Sequence, residues 1–342
     1  MKISLLVPCF NEEKSLEASI KSCLNQTRKF DELIFIDDFS SDKTPEILAS
    51  FGDRIKAYRV PKNTGNKSGA QEFGFQFITG DVVVTTDADT LLKSNFVEEI
   101  ENDFQNPNVA AVAGTVKSMP YNWITLCRAF EYTIGQYIHK LAQSYMNYIF
   151  VMPGAASAFR VDMFRKYITF DHDTITEDLD FTYKLHLKQF KIVYNRQAIT
   201  YTQDPTNLSD YINQMRRWFG GGWQNVVKHH SIITTKPIRA FELSILYSEG
   251  LIFSILIFLI PLINLWFALL VIIGFFQITL IFAIWAAIKE KRWKLLFVPF
   301  PYMILMYVNA YIYLEQFVKE VVFRRKNLVW FKPGRVFINK IT

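Results

Sequence analysis

The sequence predicts an α/β domain joined to an α-helical membrane region. Three observations carry that reading. Short apolar runs alternate with helical periodicity through residues 1–235, several of those runs end directly on acidic residues, and from Leu243 to Ile288 only Glu249 is charged. Strands alternating with helices build a mostly parallel sheet, and about 20 apolar residues cross the hydrocarbon layer.

In chain order, Ile3 to Val7 reads as a buried strand stopped by Pro8. Asn11 to Cys23 has helical spacing, with Leu16, Ile20 and Leu24 on one face. Leu33 to Ile36 is a second strand running into Asp37-Asp38, and Ser40-Ser41-Asp42 offers N-cap chemistry for a helix through Ala49. Ile55 to Val60 is a strand, Lys67 to Phe77 a helix, Val82 to Thr86 a strand ending at Asp87, and Val109 to Val116 another strand. Tyr121 to Ile149 is long, aromatic and weakly amphipathic, which suits either a helix in the membrane interface or one packed on the sheet. Asn207 to Lys228 is a second such helix, carrying Trp218 and Trp223.

The membrane region, 236–318, reads as a hairpin of spans at 243–262 and 265–288 broken around Pro261–Asn264, with a third span at 295–318, for which a re-entrant or interfacial segment is the alternative, and a basic tail at 319–342. The basic loop 289–294 returns to the cytosol by the positive-inside rule. Met1 to Pro8 has an apolar run too short for a signal core, so the domain 1–235 is expected on the cytosolic side of a multi-pass cell-membrane protein.

The 342 residues carry a net charge of +6, and the basic residues gather beside the apolar segments, a placement suited to anionic lipid headgroups. No motif for RNA or DNA accompanies them, which argues against nucleic-acid binding. Cys9, Cys23 and Cys127 lack metal-ligand spacing and read as free thiols. His229-His230 reads as a solvated polar pair.

Four motifs carry chemistry. Asp87-Ala88-Asp89 at a strand end can turn two carboxylates toward one hard cation, Mg²⁺ or Mn²⁺, shared with a diphosphate; an Asp-rich turn is the bland alternative. Asp37-Asp38 can accept hydrogen bonds from a nucleobase or ribose, or simply serve the following helix N-terminus. Thr176-Glu177-Asp178 is either a cap with an acidic first turn or the seat of a general base, Asp178. Gln214, Arg217 and Trp218 share one helix face, where amide and guanidinium can hold a diphosphate and the indole can stack on a sugar. The alternative there is an interfacial helix with an anchoring Trp.

In this order the motifs resemble those of the family 2 inverting glycosyltransferases, in particular the membrane-embedded synthases of cellulose, chitin, hyaluronan and poly-N-acetylglucosamine. Val7-Pro8-Cys9-Phe10-Asn11-Glu12 is similar to their nucleotide-cradling loop, Asn63 to Ala70 to the segment whose Lys approaches the diphosphate, and Pro153 to Arg160 to their acceptor-side strand. The resemblance covers roughly residues 1–230. It implies a GT-A-type fold with a Rossmann-like mixed sheet. It implies that Pro8, Phe10, Glu12, Asp38 (or Asp37) and Lys67 contact uridine diphosphate, that Asp87 touches nucleotide and metal, and that Asp89 ligates the metal. Asp178 is then the base, Gln214 and Arg217 hold the diphosphate, and Trp218, Glu177 and Gly154 lie on the acceptor side. The implied reaction moves a sugar, N-acetylglucosamine or glucose, from a UDP-sugar to a growing β-linked polysaccharide. Single-sugar transfer to a ceramide- or polyprenyl-phosphate-type lipid is the alternative, and a sugar-nucleotide-binding membrane protein without activity is the alternative outside enzymes. The larger synthases place membrane helices before the catalytic domain, whereas this chain opens on its first strand. Its few spans argue against a complete polymer channel within one chain, which a homo-oligomer, an accessory subunit or a lipid acceptor in place of a growing polymer would each resolve.

Overall fold

The computed structural model describes residues 1–232, 237–328 and 331–334. The first strands form as the apolar runs require. β1 (Ile3–Cys9) pairs in parallel with β2 (Glu32–Asp37) and β4 (Val82–Thr85), and β2 with β3 (Lys56–Arg59). Between them run α1 (Leu16–Leu24), α2 (Thr44–Ser50) and α3 (Lys67–Phe75). The α3 N-cap is Asn66, whose side chain accepts from the Gly69 amide.

The remaining elements turn a parallel sheet into a mixed one of order β3-β2-β1-β4-β7-β6-β8-β5. They are β5 (Leu91–Leu92), α4 (Phe96–Phe104), β6 (Val109–Ser118), α5 (Trp123–Ile134), α6 (Lys140–Tyr145), β7 (Ser157–Arg160), α7 (Val161–Tyr167), α8 (Glu177–Leu187) and β8 (Lys191–Thr202). β7 runs antiparallel between β4 and β6, while β8 is parallel to β6. Core clusters cover both faces: Leu5, Val7 and Phe35 with Ile20 on one, Leu6, Ile34 and Val83 with Phe164 on the other. Alternate residues of β1 thus point to opposite cores, as a strand period of two demands.

The segment 121–149 is broken where one helix was expected. α5 passes through a π turn, Gly135–His139, into α6. Ile124, Cys127 and Phe130 pack in a cluster shared with the later apolar helices, while Tyr121 and Trp123 remain exposed.

After α9 (Leu208–Lys228) come α10 (Pro237–Ile263), α11 (Leu265–Glu290) and α12 (Pro299–Phe317). Ser244–Ile263 and Leu265–Glu290 are long and apolar enough to cross a membrane, and little of either is buried. Asn264 breaks the pair and caps α11 by accepting from the Phe267 amide. The third expected span is a helix that falls short by the same measure of apolarity. It packs on α9 through polar contacts, Tyr211 to Asn309 and Arg216 to Glu315, 2.9 and 2.8 Å. The expected boundary at 235 and the tail beyond 334 lie outside the described residues.

Candidate active site

A parallel arrangement places the carboxyl ends of β1, β2 and β4 at one edge of the sheet, where open α/β sheets bind ligands. A cavity of about 1110 Å³ opens there. Pro8, Phe10, Glu12, Asp38, Lys67, Asp87, Asp89, Gly154, Glu177, Asp178, Gln214, Arg217 and Trp218 all line it. Pro8 and Trp218, 210 positions apart in the chain, therefore line one cavity, which no local rule could arrange.

Asp37 is the exception. Its carboxylate turns away from the cavity, accepts from the Ser40 amide at 2.9 Å and pairs with Arg59 at 3.3 Å. Strand alternation explains the split, since neighbouring residues face opposite ways. The nucleotide expectation therefore rests on Asp38, held by the Thr64 amide and hydroxyl, both at 2.8 Å. Burial pushes the Asp38 carboxyl up, against the pull of those two bonds.

Lys67 opens α3 and reaches Asp87 Oδ1 at 2.5 Å and Glu177 Oε1 at 3.0 Å. Burial alone would lower its pKa; the two carboxylates reverse that and hold it above the ordinary lysine value. A Cβ on Gly154 would lie 2.6 Å from the Lys67 amine, so a side chain there would push that amine aside. The bare backbone lets its N–H donate to Asp178 Oδ2 at 3.1 Å, while the Leu179 amide donates to Oδ1 at 2.9 Å. Burial first, then the neighbouring Glu177 charge, raises Asp178 to about 6, with Lys67 opposing.

Thr176 does not cap α8. Its hydroxyl accepts from Asn225 of α9 at 3.0 Å, and a Cβ on Gly221 would lie 2.4 Å from it. Gly221 costs helix stability, about 1 kcal/mol, and allows α9 to lie against the start of α8. That contact carries Gln214, Arg217 and Trp218 to the cavity. Gln214 is buried, and its Oε1 has no partner among the described residues. Arg216, one residue from Arg217, faces the other way toward Glu315.

Asp89 is buried beside Glu12, whose carboxyl is raised to about 7 by burial and by the Asp89 charge, with Lys332 opposing. Among the described residues there is no group of three or more metal-ligating side chains. Two carboxylate oxygens suit an ion that completes its shell with substrate phosphates and water, as Mg²⁺ does. The residues present fit such an ion.

Sequence reasoning missed several wall residues. Lys332 reaches Glu12 at 3.0 Å and the Phe10 carbonyl at 2.6 Å, and nothing local signals a contact over 320 residues. Tyr132, Gln136 and Lys140 also line the cavity, and their spacing of four was a legible signal. His229, read as solvated, is buried and bonds Asp180 at 2.7 Å.

Residues 4–168 match the sequence model described as glycosyl transferase family 2. The chain carries a family 2 glycosyl transferase domain. It is 28% identical over 246 residues to a poly-β-1,6-N-acetyl-D-glucosamine synthase of Staphylococcus epidermidis, covering 70% of this chain and 60% of that protein. The synthase of the same name from Staphylococcus aureus (strain COL) is 26% identical over 262 residues, covering 75% and 63%. The match thus spans about three fifths of the length of these relatives. A mannosyltransferase from Pyrobaculum calidifontis, solved in complex with GDP-Man and Mn²⁺, shares the fold of the domain at a TM-score of 0.55. It is 19% identical and covers 66% of this chain and 63% of that one.

Proposed function

We propose that this chain is a membrane-bound inverting glycosyltransferase that moves a sugar from a UDP-sugar onto a growing β-linked polysaccharide, with N-acetylglucosamine as the favoured sugar. The observation that carries the reading is the convergence of Asp38, Asp89, Asp178 and Arg217 on one cavity that continues between the apolar helices to Phe253 and Tyr313. The names of the curated synthases support N-acetylglucosamine, and the two exposed apolar helices support the membrane.

In this reading Asp38 and the Pro8–Glu12 loop hold the nucleotide, and Gln214 and Arg217 hold its diphosphate. A divalent ion at Asp87 and Asp89, Mg²⁺ or Mn²⁺, would neutralise charge on the departing diphosphate. Asp178 takes the proton of the acceptor hydroxyl as that oxygen bonds to the anomeric carbon. The carbon–phosphate-oxygen bond breaks on the opposite face, UDP leaves, and an α-linked donor becomes a β-linked product. A base with a pKa near 6 is mostly ionised at neutral pH and still basic enough to accept a proton. Trp218 stacks on the acceptor, its ring braced by the Arg128 guanidinium 4.7 Å from the centroid.

Transfer of one sugar to a membrane lipid is the second reading, favoured by the apolar lining that Phe253, Phe275 and Met306 give the inner cavity. Membranes holding the protein are incubated with radiolabelled UDP-sugars, and polymer is separated from lipid-linked product. Label from UDP-N-acetylglucosamine in polymer, lost on chelation and restored by Mn²⁺ or Mg²⁺, is expected; absence of transfer from every UDP-sugar sinks the reading.

A further inference from the structure

The helical run from α5 through the π turn to α6 carries Arg128, Tyr132, Gln136 and Lys140 at intervals of four. In a regular α-helix such a series drifts by about 40° per step. The wider π turn at Gly135–His139 takes up part of that drift, so Tyr132, Gln136 and Lys140 all reach the cavity wall. At one end of this stripe Arg128 lies over Tyr132, 5.0 Å from its centroid, and over the ring of Trp218. At the other end Lys140 feels the charge of Asp178. The stripe therefore runs from the stacking platform to the base.

Its members are not equally satisfied. Arg128 pairs with Glu131 and Asp204. Gln136 is 6% exposed, and its Oε1 has no partner among the described residues. Lys140 is 7% exposed and makes no ion pair among the described residues; its amine lies 5.8 Å from the Tyr194 ring centroid. Buried amides and amines left without partners are costly, so their presence in a cavity wall points to a ligand that completes them.

We propose that Gln136 and Lys140 form the subsite for the terminal sugar of the acceptor, holding its reacting hydroxyl toward Asp178. A saccharide end offers the acceptor oxygens that an amine needs and the hydroxyl donor that an amide oxygen needs; a hydrocarbon tail offers neither. Burial pushes Lys140 down to about 8, with Asp178 opposing, so this amine gives up its charge more readily than a solvated lysine and can donate to a neutral sugar oxygen. The inference rests on the reading of the cavity as a glycosyltransferase site and adds which wall reads the acceptor.

Lys140→Met and Gln136→Met test it in the full-length protein, with a short N-acetylglucosamine oligosaccharide as acceptor. Each is expected to raise acceptor KM about tenfold, the worth of one hydrogen bond to a buried partner, and to leave UDP affinity within about twofold. Thermal stability should hold or rise, because an unsatisfied buried polar group is removed. Unchanged acceptor KM in both variants overturns the subsite, as does a drop in Tm with kcat and UDP affinity falling together. A wild-type protein that transfers to no acceptor brings down the parent reading and this one together, whereas wild-type kinetics in both variants sinks the subsite alone.

Discussion

Asp178 and Asp180 stand two residues apart in the first turn of α8, and they face different worlds. Asp180 is 1% exposed and receives Lys184 at 2.6 Å, His229 at 2.7 Å and Lys228 at 2.8 Å. Burial alone would raise it, but those three partners hold it below the usual carboxylate range. Asp178 gets two backbone amides and a nearby Glu177, and is raised to about 6. The back of the turn is thus a lock joining α8 to α9, and the front is a poised base. Position within the helix does not separate the roles; the compensating charges do.

Four substitutions or titrations would break or sharpen that contrast. The largest expected effect is on turnover: Asp178→Asn should cut transfer about 10³-fold with UDP affinity unchanged, a general base being worth 10²–10⁴. Titration calorimetry with UDP beside turnover checks it, and lost UDP affinity would contradict the role. Next, Asp180→Asn should cost about 3 kcal/mol, because two lysines and His229 lose a buried carboxylate partner, while turnover per folded molecule persists. A denaturation midpoint equal to wild type would show that the lock is not one.

The pH dependence follows from the same acid. Because Asp178 must be ionised, kcat/KM should fall tenfold per unit below about pH 6; an acid limb near 4 would mean that burial does not raise it. The smallest effect is the most discriminating. A carboxyl raised from about 4 unfolded to about 6 folded loses stability as pH rises through that window, the reverse of Asp180, whose contribution is lost as pH falls below the unfolded value. Asp178→Asn should therefore stabilise the protein at pH 7, by about 1 kcal/mol after solvent screening, while Asp180→Asn destabilises it. Shifts of the same sign would erase the distinction.

Much of the site was legible because its motifs sit where local rules put them. Asp38 and Asp87 follow apolar strands, and Gln214, Arg217 and Trp218 share one helix face, so each could be placed from spacing. Strand alternation could have excluded Asp37, whose neighbour Asp38 takes the cavity side. β8 escaped because its polar residues, Asn195, Arg196 and Gln197, interrupt the apolar pattern where the strand bulges against β6. Thr176 looked like a cap and serves instead as a contact to Asn225. The stripe ending at Lys140 was visible as a spacing, yet an interfacial helix has the same spacing, and only the cavity tells them apart.

The sequence by itself determined which side chains are available and at what interval along each element: carboxylates after strands, an amide and a guanidinium one helical turn apart, two long runs without charge. These follow from backbone geometry and hydrophobic periodicity, which act over a few residues. The tertiary structure decided which acid keeps an unbalanced charge, which buried lysine has no ion pair among the described residues, and that Lys332 returns to Glu12. Charge compensation is a sum over neighbours brought from distant parts of the chain, so it exists only once the fold has closed around them.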